Sequence, residues 1–224
     1  MNRRFVLIAA LVGLCGGYVV AQSPATPAVD RWESDIKKFE AADNVTPPPA
    51  NGVVFIGSSS IVRWKVSEAF PELGARAINR GFGGSVTSDA VRYVDRIVVP
   101  YKPRLVVLYS GDNDLTTPMT SEQIADEYRQ FINKVRTSLP AARIVVISIK
   151  PSIQRWALID KARAANALIR RDCESRTDVT FADVEKPMLG ADGKPRPELY
   201  IADGLHMTGE GYKIWNAVVG PLLK

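Results

Sequence analysis

The sequence contains little histidine and little cysteine, and both shortages narrow the chemistry that is open to it. Of the 224 residues, two are cysteines and one, His206, is a histidine. Cys15 lies in an N-terminal segment that we expect to be removed, so Cys173 would remain alone and no internal disulfide could form. An acidic, helical context predicts that Cys173 is buried rather than a nucleophile. A side chain with an ordinary pKa near neutrality can come only from His206.

The sequence also lacks internal repeats, and it has no low-complexity run beyond a short Pro/Ala segment. Its 29 basic residues exceed its 24 acidic residues by little, and they are scattered rather than arranged in a stripe. This distribution does not indicate a nucleic-acid partner. A chain of this length with 46% hydrophobic residues can form one α/β domain with a full core.

The N-terminus has the pattern of a secretory signal peptide. Two arginines precede an uninterrupted apolar segment, and small residues surround a cleavage point after Ala21. An uncleaved anchor is the alternative, but the apolar segment is short for a bilayer span and contains three glycines. Lipidation at Cys15 is disfavoured by the bulky Leu14 before it. We therefore predict a periplasmic or secreted protein without stable membrane insertion, divided into a signal peptide (residues 1–21), a tether (22–29) and one domain (30–224).

Apolar runs and helix-period patterns alternate along the rest of the chain. The runs predict five strands, at residues 53–56, 76–81, 105–109, 143–149 and 179–182. Periodicity and capping signals predict a first helix that includes residues 32–39, with Asp30 as its cap and Pro47-Pro48-Pro49 ending it. They predict further helices near residues 86–99, 120–135, 158–176 and 208–223. Alternating strands and helices predict an α/β fold, with a parallel sheet that is covered on both faces and has residues 105–109 as a central strand.

The first strand ends in Gly57-Ser58-Ser59-Ser60, and this turn contains the predicted nucleophile. Gly57 permits a sharp reversal that a side chain would obstruct. A hydroxyl after it would lie at the carboxyl end of a strand, where open α/β sheets bind ligands, and beside unpaired helix N–H groups. We predict that Ser59 is the nucleophile. The alternative is that the three serines only cap a helix.

Three further loops should meet this turn, because parallel strands have their carboxyl ends at the same edge of the sheet. They contain Gly84 after the second strand, Asn113 after the third, and Asp203 with His206 before the last helix. A histidine is suited to act as general base toward a serine. An acid three residues earlier can orient its ring. Together with Ser59, these residues predict a hydrolase.

These residues resemble the four sequence blocks of the SGNH hydrolases, also called the GDSL family of esterases and lipases. The resemblance runs from Val53 to Tyr212 and implies a three-layer α/β/α sandwich similar to flavodoxin. It implies a small-molecule or carbohydrate ester as substrate, and neither a cofactor nor a metal. The residue roles that it implies are Ser59 as nucleophile, Asp203 as acid, His206 as base, and an oxyanion hole made by the N–H of Ser59, the N–H of Gly84 and the amide of Asn113.

The first block departs from the family pattern, because Ser58 stands where Asp usually precedes the nucleophile. That acid is not one of the four blocks, so we expect activity to survive, while the shape of the turn and the choice among the three serines stay open. Neither the elbow of α/β-hydrolases nor a dinucleotide fingerprint is matched. Asp112 and Asp114 have no histidine partner, which favours loop ordering over metal binding.

No predicted connection is long enough to form a lid, apart from residues 185–202, so the site should be open. An open site leaves a long acyl chain in water, and each unburied CH₂ forfeits about 0.8 kcal/mol of binding. We therefore expect an esterase for short acyl groups. The predicted rim, suited to a polar alcohol, comprises Arg63, Trp64, Arg80, Phe82, Lys150, Arg155 and Trp156.

Several alternatives stay open at this point. Trp64 and Trp156 could be core residues at helix starts, and Lys150 could simply be solvated. The same catalytic residues could serve a thioesterase or a carbohydrate O-deacetylase. The fold could also be kept by a binding module without turnover. The sequence does not determine the oligomeric state.

Overall fold

The computed structural model describes residues 30–224. The predicted signal peptide, residues 1–21, and the predicted tether, residues 22–29, lie outside the described residues. Residues Arg31–Lys224 form one unit. Within the described part of the chain, no helix is both long and apolar enough to cross a membrane.

Five short strands of mainly β-branched and aliphatic residues form a parallel sheet. Their bounds are Val53–Gly57 (β1), Ala77–Gly81 (β2), Leu105–Tyr109 (β3), Arg143–Ile147 (β4) and Val179–Ala182 (β5). The strands lie in the order β2-β1-β3-β4-β5, with β3 in the centre and every pairing parallel. All residues of β1 and β3 are buried, as in a sheet that is covered on both faces. The predicted α/β fold with a five-stranded parallel sheet is confirmed.

Helices connect the strands. The α-helices of the described residues are Glu33–Val45 (α1), Ser59–Val62 (α2), Val66–Ala69 (α3), Thr87–Ile97 (α4), Ser121–Ser138 (α5), Ile159–Glu174 (α6), Glu185–Met188 (α7) and Gly209–Val219 (α8). The predicted capping box at the start of α5 is present: Gln123 N donates to Thr120 Oγ1 at 3.3 Å, and Thr120 N donates to Gln123 Oε1 at 2.8 Å. These two bonds satisfy N–H groups that would otherwise lack partners.

The first helix differs from its prediction at its start. Its N-cap is Trp32 rather than Asp30, and it ends at Val45, just before Pro47-Pro48-Pro49, which were predicted to end it. Only Ile36 is fully buried within it. The apolar periodicity that signals a helix therefore ends early, while the helix itself continues as a solvated surface element.

The alternation of side chains along each strand divides the core into two layers. In β1, Val54 and Ile56 pack in one cluster with residues of α1, α4, α5 and α6, and Val53 and Phe55 pack in another with residues of α2, α3, α7 and α8. Successive side chains of a strand point to opposite faces, so every fully apolar strand needs helices on both sides. The molecule is therefore a three-layer α/β/α sandwich, and its polar loops are left at the strand ends.

Candidate active site

A turn that only glycine can make places Ser59 at the carboxyl end of β1. Gly57 has a φ of +145°, and a Cβ there would lie 1.7 Å from the carbonyl oxygen of Tyr109 in β3. Ser59 is the first residue of α2. Ser58 and Ser60 are buried, whereas Ser59 is half-buried. Of the three serines, Ser59 is therefore the most accessible to a substrate.

Ser59, His206 and Asp203 form a continuous chain of hydrogen bonds, which we term the catalytic chain. His206 Nε2 lies 2.8 Å from Ser59 Oγ, across a separation of 147 residues in the sequence. His206 Nδ1 lies 2.6 Å from Asp203 Oδ2. With its proton on Nδ1, the ring donates to Asp203 and accepts from the serine hydroxyl. This is the arrangement in which a histidine can remove the proton of a serine.

A tight turn holds the Asp203 carboxylate against the ring. Gly204 has a φ of +65°, and Asp203 Oδ1 accepts hydrogen bonds from the N–H groups of Leu205 and His206, both at 2.9 Å. Burial acts to raise the pKa of this carboxyl, but the bonds from the His206 ring and from the two N–H groups outweigh burial and lower the pKa to about 2. Asp203 is therefore ionised at neutral pH and can stabilise a protonated ring.

The Asn113 side chain, which follows β3, is held at both ends of its amide. Asn113 Nδ2 donates to the carbonyl oxygen of Ser85 at 2.8 Å, and Asn113 Oδ1 accepts from Arg155 Nη2 at 3.0 Å. An amide nitrogen carries two N–H groups. The bond to Ser85 uses one of them, so the second can serve a substrate oxygen.

Asp114 joins the loop after β2 to the loop after β3. Its carboxylate accepts a hydrogen bond from the N–H of Thr87, at 3.0 Å to one oxygen and 3.3 Å to the other. Burial raises the pKa of Asp114 above its ordinary value, and the bond from Thr87 opposes that change. Together with the bond from Asn113 to Ser85, this contact fixes the two loops, residues 81–87 and 110–116, which we term the oxyanion loops.

Within the first of these loops, Gly83 faces the nucleophile more directly than Gly84. A Cβ on Gly83 would lie 3.8 Å from Ser59 Cβ, whereas a Cβ on Gly84, where φ is +79°, would meet Arg31 and Trp32 at 3.4 Å. The N–H of Gly84 belongs to the peptide unit that begins at Gly83, the glycine nearer to Ser59. The role of this N–H as an oxyanion donor stays a prediction. Arg31 is a cation beside this loop that the sequence pattern did not reveal, because it comes from the start of the domain.

Lys150 was predicted on the rim, but its side chain is fully buried. Its Nζ lies 2.7 Å from Asp112 Oδ2, which also accepts a hydrogen bond from the Tyr109 hydroxyl. Burial raises the pKa of that hydroxyl well above its ordinary value. A buried ammonium requires a partner. Asp112 supplies it, so Lys150 belongs to the interior and the prediction for it is corrected.

Trp64 and Phe82 also lie in the interior, each 2% exposed. The indole N–H of Trp64 donates to Asn216 Oδ1 at 2.9 Å, so its one polar atom is satisfied within the protein. Their ring contacts are with Phe55, Phe70, Tyr212 and Trp215 for Trp64, and with Trp32 and Tyr93 for Phe82. Both rings fill the core, which corrects their assignment to the rim.

Arg80 is the fourth predicted rim residue that is engaged elsewhere. Its guanidinium forms an ion pair with Asp43 of α1 and donates to the Tyr101 hydroxyl at 2.8 Å. It also lies over the rings of Phe39 and Tyr101. These contacts tie α1 to β2 and engage the guanidinium within the protein, which corrects the assignment of Arg80 to the rim.

Arg63 and Trp156 keep exposed surface. Arg63 borders a cavity of about 460 Å³ together with Met207 and Tyr212, and is itself exposed. Trp156 is half-buried, and the Lys194 ammonium lies 5.0 Å from the centre of its ring. Contact of either residue with a substrate stays a prediction.

Other groups with reactive or ligating chemistry are few. Among residues 30–224, no group of three or more His, Cys, Asp or Glu side chains could hold a metal ion. Cys173 is buried in α6, where burial raises the pKa of its thiol to about 12. The thiol is therefore protonated at neutral pH and a poor nucleophile.

Comparison with known proteins places this geometry in a family. Residues 57–214 match the GDSL-like Lipase/Acylhydrolase family. The chain is 29% identical over 200 residues to the human platelet-activating factor acetylhydrolase IB subunit alpha1, covering 85% of this chain and 84% of that protein. A GDSL-like lipase from Bacteroides thetaiotaomicron superposes with a TM-score of 0.71 at 20% identity, over 85% of this chain and 97% of that structure. The structure of a carbohydrate esterase family 3 from Talaromyces cellulolyticus superposes with a TM-score of 0.63 at 21% identity, over 77% of this chain and 95% of that structure.

The two solved structures, at such low identity, show the shared fold. The family match is the stronger finding, because it spans more than half of the chain and includes Ser59, Asn113 and His206. The protein therefore belongs to the GDSL-like lipase/acylhydrolase family, the SGNH hydrolases, and is a carboxylic ester hydrolase of that type.

Proposed function

We propose that the protein is an exported serine esterase that hydrolyses esters with short acyl groups at Ser59. The observation that carries the assignment of the nucleophile is the catalytic chain, with contacts of 2.8 Å and 2.6 Å. A serine hydroxyl is a weak nucleophile unless an adjacent base takes its proton. His206 Nε2 contacts the Ser59 hydroxyl and can accept its proton, and the ionised Asp203 fixes the orientation of the His206 ring.

The reaction follows from these contacts. Ser59 Oγ attacks the ester carbonyl while His206 Nε2 accepts the hydroxyl proton. The carbonyl oxygen becomes an oxyanion, which the N–H groups of Ser59 and Gly84 and the free N–H of Asn113 stabilise. The intermediate collapses as His206 returns the proton to the leaving alcohol. Water then attacks the acyl-enzyme with the same base and releases the carboxylic acid.

The preference for short acyl groups is supported by the way the chain surrounds the site. The longest connection between the described α-helices and strands, residues 189–208, carries Asp203 and His206. It therefore builds the catalytic chain and is not free to serve as a separate lid. A long acyl chain would stay hydrated and gain little from binding. The name of the human relative, an acetylhydrolase, agrees with a short acyl group.

A panel of p-nitrophenyl esters from acetate to palmitate tests this proposal on the purified protein, with Ser59→Ala as the blank. We expect the highest kcat/KM for acetate or butyrate and a steep fall with chain length. Acetylated sugars and thioesters in the same panel identify the leaving group. A preference for palmitate over acetate would contradict the short-acyl proposal.

Export is tested separately. Expression of the full chain in a bacterial host, followed by mass analysis of the periplasmic and secreted fractions, should give a protein that begins at Gln22. Full-length protein confined to the cytosol would contradict cleavage after Ala21.

A further inference from the structure

A mostly buried guanidinium, that of Arg155, contacts the side chain of the proposed oxyanion donor. Only 14% of the Arg155 side chain is exposed. Its Nη2 donates to Asn113 Oδ1 at 3.0 Å, and its Nη1 lies 4.0 Å from Asp112 Oδ1. Both contacts are with the second oxyanion loop. Arg155 was predicted to bind substrate at the rim, yet these donor groups are directed at the protein.

The loop that carries Arg155 is itself held in place. The N–H of Arg155 donates to Ser152 Oγ at 3.3 Å, and the N–H of Gln154 donates to the carbonyl oxygen of Gly204 at 3.0 Å. Gly204 belongs to the turn that orients the Asp203 carboxylate. This loop therefore supports the catalytic chain on one side and Asn113 on the other.

The orientation of the Asn113 amide depends on the contrast between its two neighbours. The two ends of an amide have nearly the same shape and differ in whether they donate or accept. The oxygen faces the Arg155 guanidinium, and the nitrogen faces the Ser85 carbonyl. A rotation of 180° would set N–H groups against N–H groups and oxygen against oxygen. Arg155 and Ser85 therefore select the orientation in which one amide N–H stays free.

The charges around Asn113 also favour a developing anion. Lys150 and Arg155 carry two formal positive charges, and Asp112, their common partner, carries one negative charge. Lys150 already occupies Asp112 Oδ2 at 2.7 Å. The Arg155 guanidinium, bonded to Asn113 Oδ1, polarises the Asn113 amide and strengthens its N–H as a donor. The interior of the protein screens this effect less than water does.

We propose that Arg155 is a positioning residue: its guanidinium orients and polarises the Asn113 amide and does not bind the substrate. This inference rests on the proposed function, in which Asn113 stabilises the oxyanion. It makes the loop after β4 a fourth contributor to the oxyanion hole, beside the two oxyanion loops and the turn that carries Ser59.

The test uses p-nitrophenyl acetate hydrolysis by Arg155→Ala, Asn113→Ala and the double variant. A residue that positions an oxyanion donor contributes to stabilisation of the transition state, so its loss should lower kcat and leave KM nearly unchanged. We therefore expect Arg155→Ala to lower kcat roughly 10- to 100-fold, a size typical of coupled neighbours, and to leave KM within about twofold. Arg176→Ala is the matched control, because Arg176 Nη1 donates to Asn133 Oδ1 at the same 3.0 Å away from the site. Its kcat should equal that of the wild type.

The double variant separates positioning from a general structural role. Once Asn113 is gone, removal of Arg155 should change kcat less than about twofold, because the two residues act as one unit. Methylguanidinium added to the assay should restore part of the kcat of Arg155→Ala and none of that of the double variant. If Arg155→Ala does not fold, Arg155→Lys replaces it, with the same expected dependence on Asn113, since lysine keeps the charge without the planar pair of donors.

The contrary results point to different failures. A raised KM with unchanged kcat in Arg155→Ala would make Arg155 a substrate-binding residue and overturn the inference. An equal loss of kcat with and without Asn113 would make it a structural residue, with the same consequence. Wild-type turnover in Asn113→Ala would overturn the proposed oxyanion donor as well. Full activity in Arg155→Ala beside a defective Asn113→Ala would overturn the inference alone.

Discussion

The two halves of the active site are built in opposite ways. In the catalytic chain three side chains contact one another directly, and 37% of the Asp203 side chain and 18% of the His206 side chain are exposed. In the oxyanion loops, no part of Asp114 is exposed. Hydrogen bonds from Thr87 to Asp114 and from Asn113 to the Ser85 carbonyl join one loop to the other.

The difference reflects what each half must do. The catalytic chain passes protons to a leaving alcohol and from a water molecule, so both must reach His206. Oxyanion donors are effective only if they are in place before the charge develops, and the buried Asp114 and the hydrogen bonds between the two loops keep them there. Substitutions in the catalytic chain should therefore reduce the rate and spare stability, whereas substitutions that support the oxyanion loops should affect stability too.

The largest effect is expected at the nucleophile and the base. Ser59→Ala and His206→Ala should each lower kcat on p-nitrophenyl acetate by about 10⁴- to 10⁶-fold, because either change removes the proton-transfer pair. Thermal unfolding should stay close to that of the wild type. Ser58→Ala and Ser60→Ala are the controls and should keep most activity. An inactive Ser58→Ala beside an active Ser59→Ala would move the nucleophile by one residue.

Asp203→Ala should cost less than either of these changes, roughly 10⁴-fold in kcat, because the acid orients the ring without transferring the proton itself. The comparison with His206→Ala under identical conditions is the measurement. Equal losses in the two variants would mean that the ring leaves its position entirely without Asp203.

Asn113→Ala, on the oxyanion side, should lower kcat by about 10²- to 10³-fold with a small change in KM, since its N–H acts mainly in the transition state. Steady-state kinetics with p-nitrophenyl acetate give both constants. Unchanged turnover would mean that Asn113 only braces the loop.

The pH dependence of kcat/KM distinguishes the acid from the base. The Asp203 pKa of about 2 keeps this carboxyl ionised throughout the range of histidine titration, about pH 5 to 8. Asp203 should therefore add no second protonation to the acid limb in this range, so the fall should be at most tenfold per pH unit. A hundredfold fall per unit in this range would show that Asp203 titrates there as well.

The smallest expected effect on rate, with a larger one on stability, is at Asp114. Asp114→Ala should lower the free energy of unfolding by about 1–3 kcal/mol, because the buried N–H of Thr87 loses its acceptor. Asp114→Asn keeps an oxygen acceptor and is the matched control. Chemical denaturation of both variants gives the difference, and equal stability of the two would contradict the role of the acceptor.

A comparison of the wild type with Asp114→Asn tests the pKa of Asp114. Because burial raises this pKa in the folded state, the folded protein holds the proton more tightly than the unfolded chain. The stability of the wild type relative to Asp114→Asn should therefore be greatest at low pH and fall as the pH rises from about 3.8, the ordinary value, through the raised value. A relative stability that rises with pH would contradict a raised pKa.

Patterns within short segments were sufficient for most of the fold. The run Leu105–Tyr109 has the same bounds in the structure as in its prediction, because a short apolar run between Pro103 and Gly111 favours a strand that is covered on both faces. The rule that parallel strands end at one edge was enough to bring Ser59 toward His206, 147 residues away. The motif residues are polar and directly follow apolar runs or precede a helix, so their positions can be identified from the local sequence.

The surroundings of the site could not be predicted from local sequence patterns. Arg80 and Lys150 have the composition of a cationic rim, yet each is buried against an acid about 40 residues earlier, Asp43 and Asp112. Arg155 contacts Asn113 across 42 residues. Whether a charged side chain is solvated or buried depends on the partner that offsets its desolvation, and that partner comes from another element of the fold. The succession of strands and helices along the chain and the identity of the reacting groups are therefore properties of the sequence, whereas the environment that positions those groups arises when the elements pack together.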